Sequence, residues 1–280
     1  MQAVRMKKYF DIGRHYDSIT EGWKYIFGDN FHFGYFKTPE DDLNRATDNL
    51  IDELSSFCKL GPETKILDAG CGIGAPAIYL HDKFGSDITG ISISKKGVDL
   101  ANSRIMGSRY KDKVRFMVAD MTATGFADKS FDVIWVMESS HLIKNKALLF
   151  DECYRLLKPG GYILLSDVLI NKNFNLIIKL KFLFQIINLI KTFGKGSTET
   201  PERYTELLCQ SGFKNIFSKN ISNEVELTLD CWRKNITENR SNLRGVLDES
   251  GIKRFEKSVE ILKFFFKKGF NCYYLFGAEK

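Results

Sequence analysis

At 280 residues, with 44% apolar and 27% charged side chains, the chain has the composition of a globular domain large enough to carry insertions. The net charge of +6, from 41 basic and 35 acidic residues, is mild and comes with no Arg-rich run, which argues against a nucleic-acid partner. Cys58, Cys71, Cys153, Cys209, Cys231 and Cys272 make no CxxC pair, so neither a metal site nor a disulfide framework is expected, and a cytoplasmic location is. The opening residues lack the apolar run of a signal peptide, and no run reaches the ~18 residues of a span, so stable membrane insertion is not expected.

Residues 1–60 read as an N-terminal helical and aromatic cap, dense in rings from Tyr9 and Phe10 through Tyr16, Trp23, Phe31, Phe33 and Tyr35. Thr38-Pro39-Glu40-Asp41 reads as a helix start: Thr caps, Pro fits the first turn, and the acids suit the positive end of the dipole. Residues 61–170 alternate strand and helix signals. Strands are expected at 65–68, 87–91, 114–118, 131–137 and 162–166, with Ser94 capping one helix and Lys158-Pro159-Gly160-Gly161 forming a tight turn. Such alternation predicts an α/β fold, a mostly parallel sheet with helices on both faces.

Residues 171–212 break that rhythm and read as a helical lid insertion. Asn173 to Phe193 is strongly apolar, yet Lys181, Gln185, Asn188 and Thr192 share one stripe, so most of its surface must be covered by the domain or by something docked on it. Thr200-Pro201-Glu202 starts another helix. Residues 213–280 complete the core, with Phe255, Val259, Leu262 and Phe266 on one helical face and a last strand at 272–276.

The most specific feature is Ile66-Leu67-Asp68-Ala69-Gly70-Cys71-Gly72-Ile73-Gly74. Alternate glycines let the backbone turn sharply and approach a ligand, and the following helix N-terminus offers free N–H groups. Gly70, Gly72 and Ala75 also suit a dinucleotide. Against that reading, Gly90-Ile91-Ser92-Ile93-Ser94 holds no acid for a ribose.

Leu67 to Gly74 resembles the first motif of class I S-adenosylmethionine-dependent methyltransferases. Gly90 to Ser94, Ala119-Asp120 and the Leu157-Lys158-Pro159-Gly160-Gly161 turn also fit. Phe31-His32-Phe33-Gly34-Tyr35-Phe36 is similar to the aromatic segment of a narrower group, which includes rebeccamycin sugar O-methyltransferase and tocopherol methyltransferase. The resemblance runs from about Tyr16 to Asp167 and implies a Rossmann-like, seven-stranded sheet binding S-adenosyl-L-methionine. It implies that Asp68, Gly70, Gly72 and Gly74 surround the methionine end of the cofactor. Ser92 then sits at the ribose and Asp120 at the adenine, with Met121, Glu138, Tyr16 and Tyr35 completing the site. Gly97 stands where the sugar O-methyltransferases tend to carry Gln, a departure that removes one contact.

Methyl transfer to a hydroxyl requires alignment and a base. His141 follows one strand and Asp167 another. If those strands are parallel neighbours, both side chains emerge at the carboxyl edge where open α/β sheets place ligands. In the resembled family the matching positions act as a base pair. The expected function is therefore methylation of a hydroxyl on a small, largely apolar natural product. Carbon or nitrogen methylation of an isoprenoid, lipid or alkaloid-like molecule is the alternative, and self-association is left open. His32 reads as a packed or cofactor-covering residue, and His81 as structural.

Overall fold

The computed structural model describes residues 2–107, 109–110, 112–171 and 176–280, with side chains left out at 2–11, 176 and 179. The side chains of Tyr9 and Phe10, and residues 173–175 of the apolar segment, therefore lie outside the described part. The strands are β1 Lys65–Ala69, β2 Asp87–Ser92, β3 Val114–Val118, β4 Phe131–Met137, β5 Leu157–Ile170, β6 Lys214–Asn220 and β7 Asn271–Glu279. They form one seven-stranded sheet in the order β3-β2-β1-β4-β5-β7-β6. β1 to β5 run parallel, while β7 lies antiparallel between β5 and β6. The α/β expectation holds, and β6 (Lys-Asn-Ile-Phe-Ser-Lys-Asn) is the polar edge strand that its sequence conceals.

Helices α1 Gln2–Phe27, α2 Leu43–Ser55, α3 Ala75–Phe84, α4 Lys95–Ile105 and α5 Lys146–Leu156 accompany the first five strands. Then come α6 Leu176–Lys181, α7 Leu183–Phe193, α8 Pro201–Gln210, α9 Ser222–Val225, α10 Leu227–Glu238, α11 Arg240–Leu243 and α12 Glu249–Lys267. Alternation along the strands feeds two cores, one on each face of the sheet. Along β4, Val133, Trp135 and Met137 enter the core shared with α1, α2, α10 and α12, whereas Ile134 and Val136 enter the one shared with α5 and α8.

Three local expectations change. Thr38 to Asp41 is a turn, because the Asp41 carboxylate accepts from the N–H groups of Lys37 and Thr38; α2 starts later, capped by Asp42. The Lys158–Gly161 turn is a bulge inside β5: Phe131 pairs with Leu157, but Val133 pairs with Tyr162. The third concerns the polar stripe of the 173–193 segment, which does not stay together: Lys181 is exposed while Thr192 is buried. Asn188 and Thr192 face inward onto α12, where Asn188 Nδ2 donates to Ser258 Oγ at 2.7 Å. By contrast, Ser94 and Thr200 cap α4 and α8 as their sequences indicate.

Candidate active site

The carboxyl ends of β1, β2, β4 and β5 open onto a cavity of about 820 Å³, within the usual range for small-molecule sites. The glycine turn at the end of β1 forms one wall. Gly70, Gly72 and Gly74 all have positive φ, at 105°, 53° and 82°. Their reasons differ. A Cβ on Gly70 would strike Ser139, and one on Gly74 would strike Phe116 and Ala101. A Cβ on Gly72 would meet nothing and would project into free space. Gly70 and Gly72 line the cavity and Gly74 does not, so Gly74 serves the packing of α3 against β3 and α4. Gly97 also has a structural reason: a Cβ there would stand 2.9 Å from the Gly72 carbonyl oxygen.

Asp68 is 2% exposed and borders the cavity, and its Oδ2 has no protein hydrogen-bond partner. Burial pushes its carboxyl up to about 7. A buried acceptor of this kind suits a ligand carrying a donor or a cation. Ser92 ends β2 on the cavity, and Asp120 and Met121 border it after β3. Asp120 Oδ1 accepts from the N–H and hydroxyl of Thr122, both at 2.8 Å, which orients the carboxylate.

β4 and β5 are parallel neighbours with Met137 paired to Ser166, so His141 and Asp167 do meet at one edge. β5 continues to Ile170, which places Asp167 within the strand rather than just after it. His141 sits in a 3-10 turn, Ser140–Leu142, and its Nδ1–H donates to Asp167 Oδ1 at 2.9 Å. Asp167 is fully buried, and its other donors are the Ser140 hydroxyl (2.5 Å), the His141 N–H (2.8 Å) and the Val168 N–H (2.9 Å). Burial alone would raise the Asp167 carboxyl, but His141 and these donors hold it below its ordinary value. For His141, burial pulls the other way, yet the charge and hydrogen bond of Asp167 leave it above the usual 6.5. Nδ1 being engaged, Nε2 is the nitrogen left for a ligand in the cavity that His141 lines.

Glu138 follows β4 with φ of 46°, unusual for a residue with a side chain. Its Oε1 accepts from the Phe33 N–H (2.7 Å) and the Tyr273 hydroxyl (2.6 Å), which ties the aromatic N-terminal segment to the sheet edge. Burial, partly offset by those bonds, pushes its carboxyl up to about 8. Tyr16 lines the cavity from α1, and its hydroxyl donates to the Phe193 carbonyl of α7 at 3.3 Å.

Tyr35 does not join this group. It is absent from the described lining, its N–H donates to the Ala46 carbonyl, and Lys219 lies over its ring. His32 and Phe33 reach the cavity, whereas the backbone of Tyr35 is tied to α2, its N–H donating to the Ala46 carbonyl and its carbonyl accepting from Asn49 Nδ2. His32 Nδ1–H donates to the Phe33 carbonyl, and burial holds this imidazole down at about 4. His81 bonds the Ser86 carbonyl outside the site.

Sequence reading missed Ser140 and Tyr204, which extend the network: the Ser140 Oγ lies 2.8 Å from the Tyr204 hydroxyl. Tyr204 belongs to α8, distant in sequence and without a motif; only the fold brings it to Asp167. It also missed Asp17, whose carboxylate accepts from the Ser94 hydroxyl and the Lys96 N–H and so clamps α1 onto the start of α4.

The sheet order and the cavity at its carboxyl edge are those of the Rossmann-like methyltransferase fold. Residues 67–165 match the methyltransferase domain family. It is 36% identical over 160 residues to 27-O-demethylrifamycin SV methyltransferase of Amycolatopsis mediterranei, covering 57% of this chain and 59% of that protein. The chain thus spans under two thirds of that relative's length. Phosphoethanolamine N-methyltransferase of Plasmodium falciparum is 27% identical over 245 residues, covering 87% and 84% of the two chains. The structure of a cyclopropane synthase from Mycobacterium tuberculosis superposes with a TM-score of 0.87 at 20% identity, over 97% of this chain and 98% of the other.

Proposed function

We propose that this chain transfers the methyl group of S-adenosylmethionine to a hydroxyl of a small, largely apolar natural product, with His141 as base and Asp167 as its orienting partner. The observation that carries this reading is the 2.9 Å bond from His141 Nδ1–H to a fully buried Asp167 at the cavity edge. Bound, the cofactor supplies a methyl group already activated by the sulfonium charge and a thioether leaving group that needs no proton. The chain then has two tasks, to align the acceptor and to take its proton. Asp68, with its unpartnered Oδ2, suits an ammonium group, and the open space at Gly72 leaves room for a ligand against the backbone. Ser92, Asp120 and Met121 are available to the nucleoside, and Glu138 and Tyr16 close that end.

His141 Nε2 takes the acceptor's proton while Asp167 supports the imidazolium that results. The acceptor faces Leu183, Ile186, Leu189, Phe193, Leu262 and Phe265, which suits an apolar body carrying one polar group. In this reading residues 1–60 form the cap and residues 171–212 the lid over the acceptor. Incubating the protein with S-adenosylmethionine and hydroxylated metabolites, with products identified by mass, is the direct test. Products methylated only at carbon or nitrogen would overturn the assignment. One observation favours that second reading: Tyr16, Trp23, Phe27 and Phe31 also line the cavity, and their faces can stabilise a cation.

A further inference from the structure

Helices α6 and α7 are apolar on more than the side that faces the cavity, where Ile186, Leu189 and Phe193 sit. Asn188 Nδ2 donates to the Arg254 carbonyl (3.1 Å) and to Ser258 Oγ (2.7 Å), and Ser258 Oγ donates to Thr192 Oγ1 (2.7 Å), all beneath the helix. Beside these polar groups, and away from the cavity-lining side, Ile177, Leu180, Phe184 and Ile187 recur at helical spacing on one stripe, with Ile177 76% and Phe184 82% exposed. A helix packed on a domain normally turns charged or polar residues to water at such positions. Single exposed apolar residues mean little, but a continuous stripe marks a contact surface. Phe264 of α12 widens it, its ring 5.8 Å from that of Phe182.

Two features indicate what covers this face. The first is charge. Residues 171–198 contain five Lys and no Asp or Glu. Lys181, Lys191 and Lys195 are exposed there, as are Lys267 and Lys268 where α12 ends. An apolar stripe rimmed by lysine complements an anionic lipid surface, whereas a symmetric second copy would set the same lysines against one another. The second is continuity with the cavity. Leu183 and Ile190 flank the stripe at 44% and 38% exposure, and both also line the cavity, so wall and patch share a border.

We infer that α6 and α7 form a docking face for an anionic bilayer, from which an amphiphilic acceptor enters the cavity. No helix among the described residues is long and apolar enough to cross a membrane, so the face lies on the bilayer. The entry of an acceptor rests on the methyl-transfer reading; the docking does not.

The test sediments the full chain, without cofactor, with vesicles of phosphatidylglycerol and phosphatidylcholine or of phosphatidylcholine alone. Binding to the anionic vesicles is expected, weakening as salt rises. The double variant Ile177→Asn/Phe184→Ser should bind about 100-fold more weakly, two large apolar contacts being lost. Both side chains are exposed, so its Tm and its S-adenosylmethionine affinity by calorimetry should match the wild type. Failure of the wild type to bind anionic vesicles, or equal binding by the variant, overturns the docking. So does a wild-type dimer by light scattering that the variant dissociates, since the occupant is then a second copy. Vesicle binding without S-adenosylmethionine affinity upholds the docking and removes the methyl-transfer reading instead. For an acceptor found by the mass screen, turnover from vesicles should fall about tenfold in the variant while turnover from detergent stays unchanged; equal turnover from vesicles overturns entry through the bilayer.

Discussion

Replacing Asp167 with Asn tests the candidate base where the structure makes the sharpest statement. All four groups that reach this carboxylate are donors: the Ser140 hydroxyl and His141 N–H at Oδ2, and the His141 ring and Val168 N–H at Oδ1. An amide keeps one acceptor and adds two donor hydrogens, so one backbone N–H must face an NH2 group. With the NH2 at Oδ1, the Val168 N–H is orphaned and His141 has to move its ring proton to Nε2, where the base needs its lone pair. With the NH2 at Oδ2, the His141 N–H is orphaned instead. Either arrangement costs about 1–3 kcal/mol, a fall in Tm of roughly 4–8 °C for about 2 kcal/mol in a chain near this size. Loss of the base should lower kcat by about 10²-fold or more. Cofactor affinity, measured by calorimetry, should stay within about threefold, an energy well under 1 kcal/mol. The assay follows S-adenosylhomocysteine release with the acceptor found by the mass screen. A Tm that falls while turnover stays within about twofold of wild type would refute the base assignment and leave the pair structural.

Further outcomes follow from the same site. The buried carboxyls Asp68 and Glu138, held at about 7 and about 8, and His141, raised above 6.5, all bind protons more tightly in the folded state. Their stability contributions are present in full below the unfolded pKa values and are lost as pH rises through the folded ones. Tm of the ligand-free protein should therefore fall between about pH 5 and about pH 9, less steeply in Asp68→Asn, and a flat profile would contradict these shifts. Lowered Asp167 acts in the opposite sense, but only at more acidic pH. Because His141 must be neutral to accept a proton, kcat/KM should decline on the acid side with an apparent pKa above 6.5. Gly74→Ala and Gly72→Ala should separate packing from binding. The first combines a left-handed backbone with a Cβ 2.5 Å from Phe116 and should cost about 2–4 kcal/mol by chemical denaturation. The second costs about 1–2 kcal/mol of stability but should weaken S-adenosylmethionine binding clearly; equal affinity would remove Gly72 from the cofactor wall.

Much of this was readable from residue order. Strand and helix periods, the Ser94 and Thr200 caps and the glycine turn are local signals, since propensity, capping and backbone freedom act over a few residues. His141 and Asp167 could be named because each follows the apolar run of an expected strand, and a parallel sheet sends such ends to one edge. Other features depend on partners distant in the chain. Tyr35 left the site because its backbone is tied to α2 by Ala46 and Asn49, and Tyr204 entered because α8 packs against α5 and β6, with its ring stacked on Phe276. The clearest division lies in residues 176–193. Residue order alone makes this segment apolar with a polar stripe, and such a segment needs covering. Which side is covered depends on packing against α12: Ser258 and the Arg254 carbonyl draw Asn188 and Thr192 inward, because a buried polar group must find a partner. The hydrocarbon face is left outside.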